Sequence, residues 1–416
     1  MPPKSPQLLG RRKSFGFGDR LGMATSAHLA AARKYDFAPV FAQQSIRELS
    51  RTDRSHREVL RAAAEVLEAE NYDGAWGADA DHLKKKADVI EAANAGFTIF
   101  TIDPSEHVND HVQDQPMNRL VSEVESLYGA GFFQTTDWDR RYLGQKFDVG
   151  GTVYRFDRES LFRAAAKYGR ALTHYLTMAR WIDRHAGRGL YETEISVDET
   201  TSPTSPLEHL FIGLELRHCG IPVASLAPRF LGGFESGIDY KGNLRNFEAN
   251  LKEHAAIARY CGPYKISVHT GSDKFRIYRI LGKVCGDRLH VKTAGTSYLE
   301  ALRVLFRANE RLFRELLEFC AEHFPEDRAS YFVSTTEEEV QGLLKEGAAT
   351  EKNLFDQRPG RQLLHVTYGS VLGEGKDSRG RSFREALLET LEANSQEYRQ
   401  RLEAHFDKHL AALCQG

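Results

Sequence analysis

The strongest constraint on this chain is a repeated rhythm: a short apolar run, a tip of small or acidic residues, then a helical segment. The predicted strands cover residues 14–18, 39–44, 76–82, 96–104, 191–199, 222–226, 264–269 and 287–292, each followed by a helical pattern. Parallel strands need crossover connections, and helices of this length supply them. A count of eight predicts an α/β fold, a closed (β/α)8 barrel of the TIM type. An open, doubly wound sheet is the alternative, but no dinucleotide-type glycine motif follows the first strand.

Two stretches break the rhythm. Residues 105–188 hold an acidic, histidine-containing loop and further helices, read as an insertion after the fourth strand. From about residue 324 the chain turns helical and charged, with one apolar segment at 363–369. The expected organisation is a catalytic barrel over 1–325 and a C-terminal extension over 326–416, packed on the barrel or against another subunit of a homo-oligomer. His107 and His111 in the insertion read as a solvated loop. Phe306, Phe313, Leu316 and Phe319 stand at helical spacing and read as core.

A formal net charge of −2 leaves no basic footprint for nucleic acid or an anionic membrane surface. No apolar run approaches the roughly eighteen residues of a membrane span. The lead Met1-Pro2-Pro3-Lys4-Ser5-Pro6 lacks a signal-peptide core, so a cytoplasmic protein with a small-molecule partner is expected. Cys219, Cys261, Cys285, Cys320 and Cys414 are widely spaced and odd in number, which fits free thiols.

Active sites of such barrels lie at the carboxyl ends of the strands. The predicted tips carry Asp19, Gln43, Asp81, His82, Asp103, Asp198, Glu199, His269 and Lys292, with Glu235 on a glycine-rich loop. Two imidazoles and a carboxylate are a common ligand set for a divalent zinc, manganese, nickel, cobalt or iron ion. His82, Glu235 and His269 are the candidate ligands. Asp81 beside His82 suits a proton acceptor, and Glu199, or alternatively Asp198, a proton donor on the opposite face. Arg229, Ser272, Lys274 and Lys292 are candidates for an anion cradle, and Gln43 for a further substrate contact. The turn Thr270-Gly271-Ser272-Asp273 is expected to cap the helix starting near Lys274.

The phrases Gly16-Phe17-Gly18-Asp19-Arg20-Leu21-Gly22, Ser196-Val197-Asp198-Glu199-Thr200, Val268-His269-Thr270-Gly271-Ser272-Asp273-Lys274-Phe275 and Lys292-Thr293-Ala294-Gly295-Thr296 are more specific together than any one residue. With them the chain resembles the tagaturonate epimerase family. The resemblance implies interconversion of D-tagaturonate and D-fructuronate, and for relatives of the family tagatose and fructose. It also implies one divalent metal cation, a proton acceptor next to a metal ligand, matched by Asp81 and His82, and a proton donor elsewhere on the rim. The inverted carbon lies β to the ketone, so simple proton abstraction there gains no enolate. A metal-dependent aldolase or aldose–ketose isomerase is the competing enzyme class, and a sugar-acid-binding protein without turnover the competing non-enzyme.

Overall fold

A computed structural model describes residues 5–129, 133, 135 and 137–416. Eight parallel strands close into one barrel in chain order: β1 (Ser14–Gly18), β2 (Ala38–Ser45), β3 (Gly77–Leu83), β4 (Ile99–Ile102), β5 (Glu192–Val197), β6 (Ser225–Pro228), β7 (Lys265–Val268) and β8 (Leu289–Thr293). Closure is made where β8 pairs with β1, Ser14 opposite His290 and Gly16 opposite Lys292. Gly16 has a steric reason: a Cβ there would stand 1.5 Å from Oε1 of Gln43, whose side chain lies across β1.

The expected (β/α)8 barrel is therefore observed, with differences at element ends. The sixth strand lies later than its apolar run suggested, at Ser225–Pro228, because Ser225 to Pro228 are the residues that pair with β5. Two helices follow β2, Ile46–Thr52 and His56–Ala69, separated by Asp53 in the left-handed region (φ 48°) and by Ser55, which caps the second. β3 runs through Leu83, so the next helix begins at Lys86 rather than Leu83.

The 105–188 stretch holds a helix (Met117–Gly129), a small hairpin (Phe147–Val149 with Thr152–Tyr154) and a long helix, Arg158–Ala186. That helix packs between Lys86–Ala95 and Pro206–His218, so it is a member of the barrel's outer ring. Its Lys167 is buried, ion-paired with Glu208 (3.1 Å) and donating to Ser202 Oγ (2.8 Å). Asp110, in the inserted stretch, accepts from the Thr201 amide at 2.8 Å. Together these hold the loop that follows β5. His107 and His111 are exposed, as expected of a solvated loop, with His107 stacked on His174.

The last helix, Ser395–Cys414, lies against Thr25–Ala32 and Phe275–Cys285, the helices that follow β1 and β7. It buries Leu402, Phe406, Leu410 and Leu413 in the main core, with Phe406 against Phe15 and Phe17 of β1. The approach is close enough that a Cβ on Gly282 would stand 2.0 Å from the Leu413 carbonyl. The apolar 363–369 segment is helical and buried, and Phe313 and Leu316 lie in the same core, with Phe306 and Phe319 packed on it. All five cysteines are free. Among the described residues no helix is long and apolar enough to cross a membrane.

Several histidines are buried in this framework. His28 is stacked on Phe17 and bonded to Ser297, and His209 and His254 share a ring-to-ring hydrogen bond of 2.8 Å. Burial pushes His28 and His254 down to about 4 and His209 well below the usual histidine range. The folded state thus disfavours their protonation. Their contribution to stability is complete above the unfolded value near 6.5 and is lost as pH falls below it, through about 4 for His28 and His254. His28 and His254 are each worth on the order of 3 kcal/mol across that window. The urea midpoint is expected to decline already between about pH 6.5 and 5, before unfolded carboxylates begin to titrate. A flat midpoint over that interval would contradict the buried, neutral assignment.

Candidate active site

Side chains alternate along a strand, so residues two apart point the same way. This rule sends Asp79 and Asp81 of β3, Thr101 of β4, Glu194 and Ser196 of β5 and Lys292 of β8 to one place. Lys292 is 3% exposed at its side chain, and its Nζ lies 2.7 Å from Asp79, 2.8 Å from Asp81 and 2.8 Å from Glu194. It also donates to Thr101 Oγ1 at 2.6 Å. Burial disfavours the ammonium, but these three carboxylates outweigh it and hold Lys292 well above the usual lysine range. Asp79 is pushed up to about 6 by burial, which the lysine only partly offsets.

Beside this cluster stand two imidazoles, His82 from β3 and His269 just past β7, with ring centres 5.0 Å apart. His82 Nδ1 is 2.9 Å from Asp81 Oδ1, and its Nε2 is 4.0 Å from Glu199. His269 Nε2 is 2.6 Å from Glu194, and its Nδ1 is 3.2 Å from Asp198. Burial disfavours charge on both rings, yet the neighbouring carboxylates prevail: His269 is raised to about 9 and His82 lies well above the usual range. Asp198 resists burial's upward push and is held low by His269. The backbone at His82 (φ 57°) and at Thr270, directly after His269 (φ 52°), is left-handed. Such conformations are costly in residues with a Cβ, and they concentrate at functional sites.

The other expected site residues divide by location. Gln43 is buried, donates to the Thr293 carbonyl at 3.0 Å, and leaves Oε1 without a hydrogen-bond partner among the described residues. Glu199 sits at the mouth, between His82 and Arg47. Arg229 reaches the Asp198 carbonyl at 3.4 Å. The structure does not bring Glu235 to the imidazole pair: its carboxylate is taken by Lys241 (2.7 Å), Ser334 Oγ (2.6 Å) and Gln362 (2.8 Å). Nor do the proposed cradle residues converge. Lys274 is fully buried and donates to the carbonyls of Glu235 (3.0 Å), Ile238 and Ser272, while Ser272 Oγ accepts from the Ala294 amide. Asp19 accepts three backbone amides of its own loop, and Asp103 accepts from Ser105.

The helix after β7, Phe275–Cys285, is capped by Lys274 without a side-chain bond, contrary to the expected Thr270–Asp273 cap. Asp273 is instead drawn to Arg361 (2.6 Å), Thr296 (3.1 Å) and His405 (3.3 Å). This second cluster, with His409, has the composition of a metal site. However, the Asp273 amide donates to His409 Nε2 at 3.0 Å and a guanidinium already neutralises the carboxylate, so the groups satisfy one another. Its evident effect is to tie the His269 loop to the last helix.

Five site residues lay outside the sequence expectations: Asp79, Glu194, Thr101, Ser196 and Arg47. The signal for the first two was present, since Asp79 is two residues from Asp81 and Glu194 four from Asp198 on alternating strands.

The groups at the mouth fit a divalent cation. Ligand atoms of Asp81, His82 and His269 all lie within 4.8 Å of one another. Without a cation, the carboxylates of Asp81, Glu194, Asp198 and Glu199 are balanced by Lys292 and by protonating two adjacent buried rings. One divalent ion satisfies the same carboxylates with both rings neutral, which is the form that ligates.

A closed (β/α)8 barrel with buried acids, a lysine and paired imidazoles at its carboxyl rim is the framework of a barrel enzyme with an acid–base site. The chain belongs to the tagaturonate epimerase family, UxaE, whose pattern matches residues 1–413. It is 42% identical over 412 residues to the tagaturonate/fructuronate epimerase of Thermotoga maritima, spanning 99% of this chain and 83% of that protein. The native crystal structure of fructuronate-tagaturonate epimerase UxaE from Cohnella laeviribosi superposes with a TM-score of 0.90 at 36% identity, over 99% of this chain and 84% of that one. A two-glycerol complex of the same enzyme gives 0.91 at 36% identity, over 99% and 83%.

Proposed function

We infer that this protein is a divalent-metal-dependent epimerase interconverting D-tagaturonate and D-fructuronate. The observation that carries the reading is the meeting of His82 and His269, at the ends of β3 and β7, with Asp81 and Glu199 beside His82 and Asp198 beside His269. Family membership supplies the substrate pair. His82 and His269 would hold the cation, which when bound supplies a Lewis acid for the ketone oxygen and a neighbouring hydroxyl.

Lys292 orients Asp81 by occupying its Oδ1, which also faces His82 Nδ1. The carboxylate is thus anchored at one oxygen and stands where it can take a proton from the substrate or complete the ligand set. Because the inverted carbon is β to the ketone, a retro-aldol route accounts for inversion. A base removes the proton of the hydroxyl on that carbon, the adjacent carbon–carbon bond opens, the aldehyde turns, and the bond re-forms on its other face. Glu199, or alternatively Asp198, gives a proton to the alkoxide left on the inverted carbon when the bond re-forms.

The test is an assay of metal-stripped protein on tagaturonate, fructuronate, tagatose and fructose, with each divalent ion restored in turn. Epimerisation of the uronates that returns only with metal is expected. Turnover in metal-free protein, net cleavage, or aldose formation would overturn the reading. Asp81→Asn is expected to lower kcat by at least about 10²-fold; retained metal content assigns Asp81 as base, and lost metal assigns it as ligand. In heavy water, deuterium uptake at the inverted carbon would exclude a purely retro-aldol path.

A further inference from the structure

If the substrate is a hexuronate, its terminal carboxylate needs a cation, and the lysines near the barrel mouth are already engaged, Lys84 with Asp103 and Glu106 (both 3.3 Å). Lys292 is surrounded by three carboxylates, and Lys274 is spent on three carbonyls. Two arginines stand beside the acids that face the imidazole pair. Arg229 follows β6, with its backbone locked to Thr204 in both directions (3.0 and 2.8 Å). Its guanidinium makes one long contact, 3.4 Å to the Asp198 carbonyl, and lies over the exposed ring of Phe332 at 5.5 Å. Among the described residues no carboxylate comes within ion-pair distance of it. Arg47, after β2, makes an equally long contact of 3.4 Å to Glu199, donates to the Ser330 carbonyl at 3.2 Å, and lies over Tyr331.

These contacts form two parallel chains. Arg47 touches Glu199, which faces His82; Arg229 touches Asp198, which faces His269. Both guanidinium groups also rest on one strap, residues 330–332, so they frame the same side of the mouth. A half-buried guanidinium without a carboxylate partner beside an acid–base site is a vacancy for an anion, and guanidinium geometry matches a carboxylate in bidentate fashion.

We propose that Arg229, together with Arg47, binds the terminal carboxylate of the substrate and makes the enzyme selective for hexuronates over neutral ketohexoses. This rests on the epimerase reading and names the groups that read the charge. The ketone end is held at the imidazoles and the carboxylate end at the arginines, so the carbon inverted between them can turn while neither fragment leaves.

The experiment compares a hexonate, galactonate, with its neutral counterpart, galactitol, for binding to the metal-loaded protein, alongside kcat/KM on tagaturonate and tagatose. Arg229→Met and Arg47→Met are expected to weaken galactonate about tenfold to a hundredfold, mainly through KM in the kinetic assay, with metal content unchanged. Galactitol binding and any tagatose turnover should change less than about threefold, and Arg229→Lys should recover part of the loss. Equal losses for the charged and neutral compounds, or a galactonate loss below about threefold in both variants, would overturn the proposal. Absence of tagaturonate turnover in the unmodified protein would refute the epimerase reading instead, while galactonate binding still reports on the arginines.

Discussion

Replacing Lys292 with Met is expected to be among the most damaging single changes in this protein. It leaves Asp79, Asp81 and Glu194 facing one another in the barrel without the ammonium that lies 2.7–2.8 Å from each. Removing one partner of a buried ion pair typically costs about 3–5 kcal/mol, because the remaining charge stays desolvated. In the variant the carboxylates escape part of that cost by protonating, so their folded pKa values rise above the unfolded ones. Their penalty is then greatest at high pH and shrinks as pH falls toward the unfolded carboxylate range. Urea unfolding at pH 8 and pH 5 checks this: the gap to the unmodified protein should be several kcal/mol at pH 8 and visibly smaller at pH 5. A second change, Glu194→Gln, should recover part of the loss, since the pair is directly coupled. A Lys292→Met protein within about 1 kcal/mol of the parent at pH 8 would show that the cluster is not held as described.

His269→Ala is expected to abolish metal uptake and activity together. The ring joins the two halves of the site, touching Glu194 on one side and Asp198 on the other and lying against His82. Its loss removes a ligand and leaves Asp198 without the group that keeps it ionised. A fall in kcat of about 10³-fold or more, with less than one equivalent of metal retained, is the expected result. Stability should suffer less than in the lysine variant, because Glu194 keeps Lys292. His107→Ala, in the exposed loop, is the control and should change neither quantity. Retention of both metal and activity in His269→Ala would remove the imidazole pair from the mechanism.

Strand periodicity made much of the site readable before any coordinates. Once Asp81 is placed inward, Asp79 must follow it, and Ser196 and Glu194 follow from Asp198 in the same way. The expected meeting of His82 with His269 follows from the closure of eight strands at one rim together with the left-handed backbone at His82, which breaks the alternation after Asp81. Charge assignments were harder. Lys274 and Lys292 look alike as lysines near strand ends, yet one holds backbone carbonyls of the 235–238 loop and the other neutralises acids from β3 and β5. Glu235 met the description of a ligand by residue type, and its partners Ser334 and Gln362 come from about a hundred residues further along the chain.

The sequence by itself determined the class of fold, the sense of each strand and the alternation along it, because these follow from local periodicity and turn chemistry; that the adjacent Asp81 and His82 both serve the site depends on the left-handed backbone at His82. Only the tertiary structure decided which acid meets which base. It alone also decided that the final helix stands in the outer ring between the helices of β7 and β1. Those outcomes depend on contacts between distant segments, where shape and desolvation select among partners that local pattern leaves equivalent.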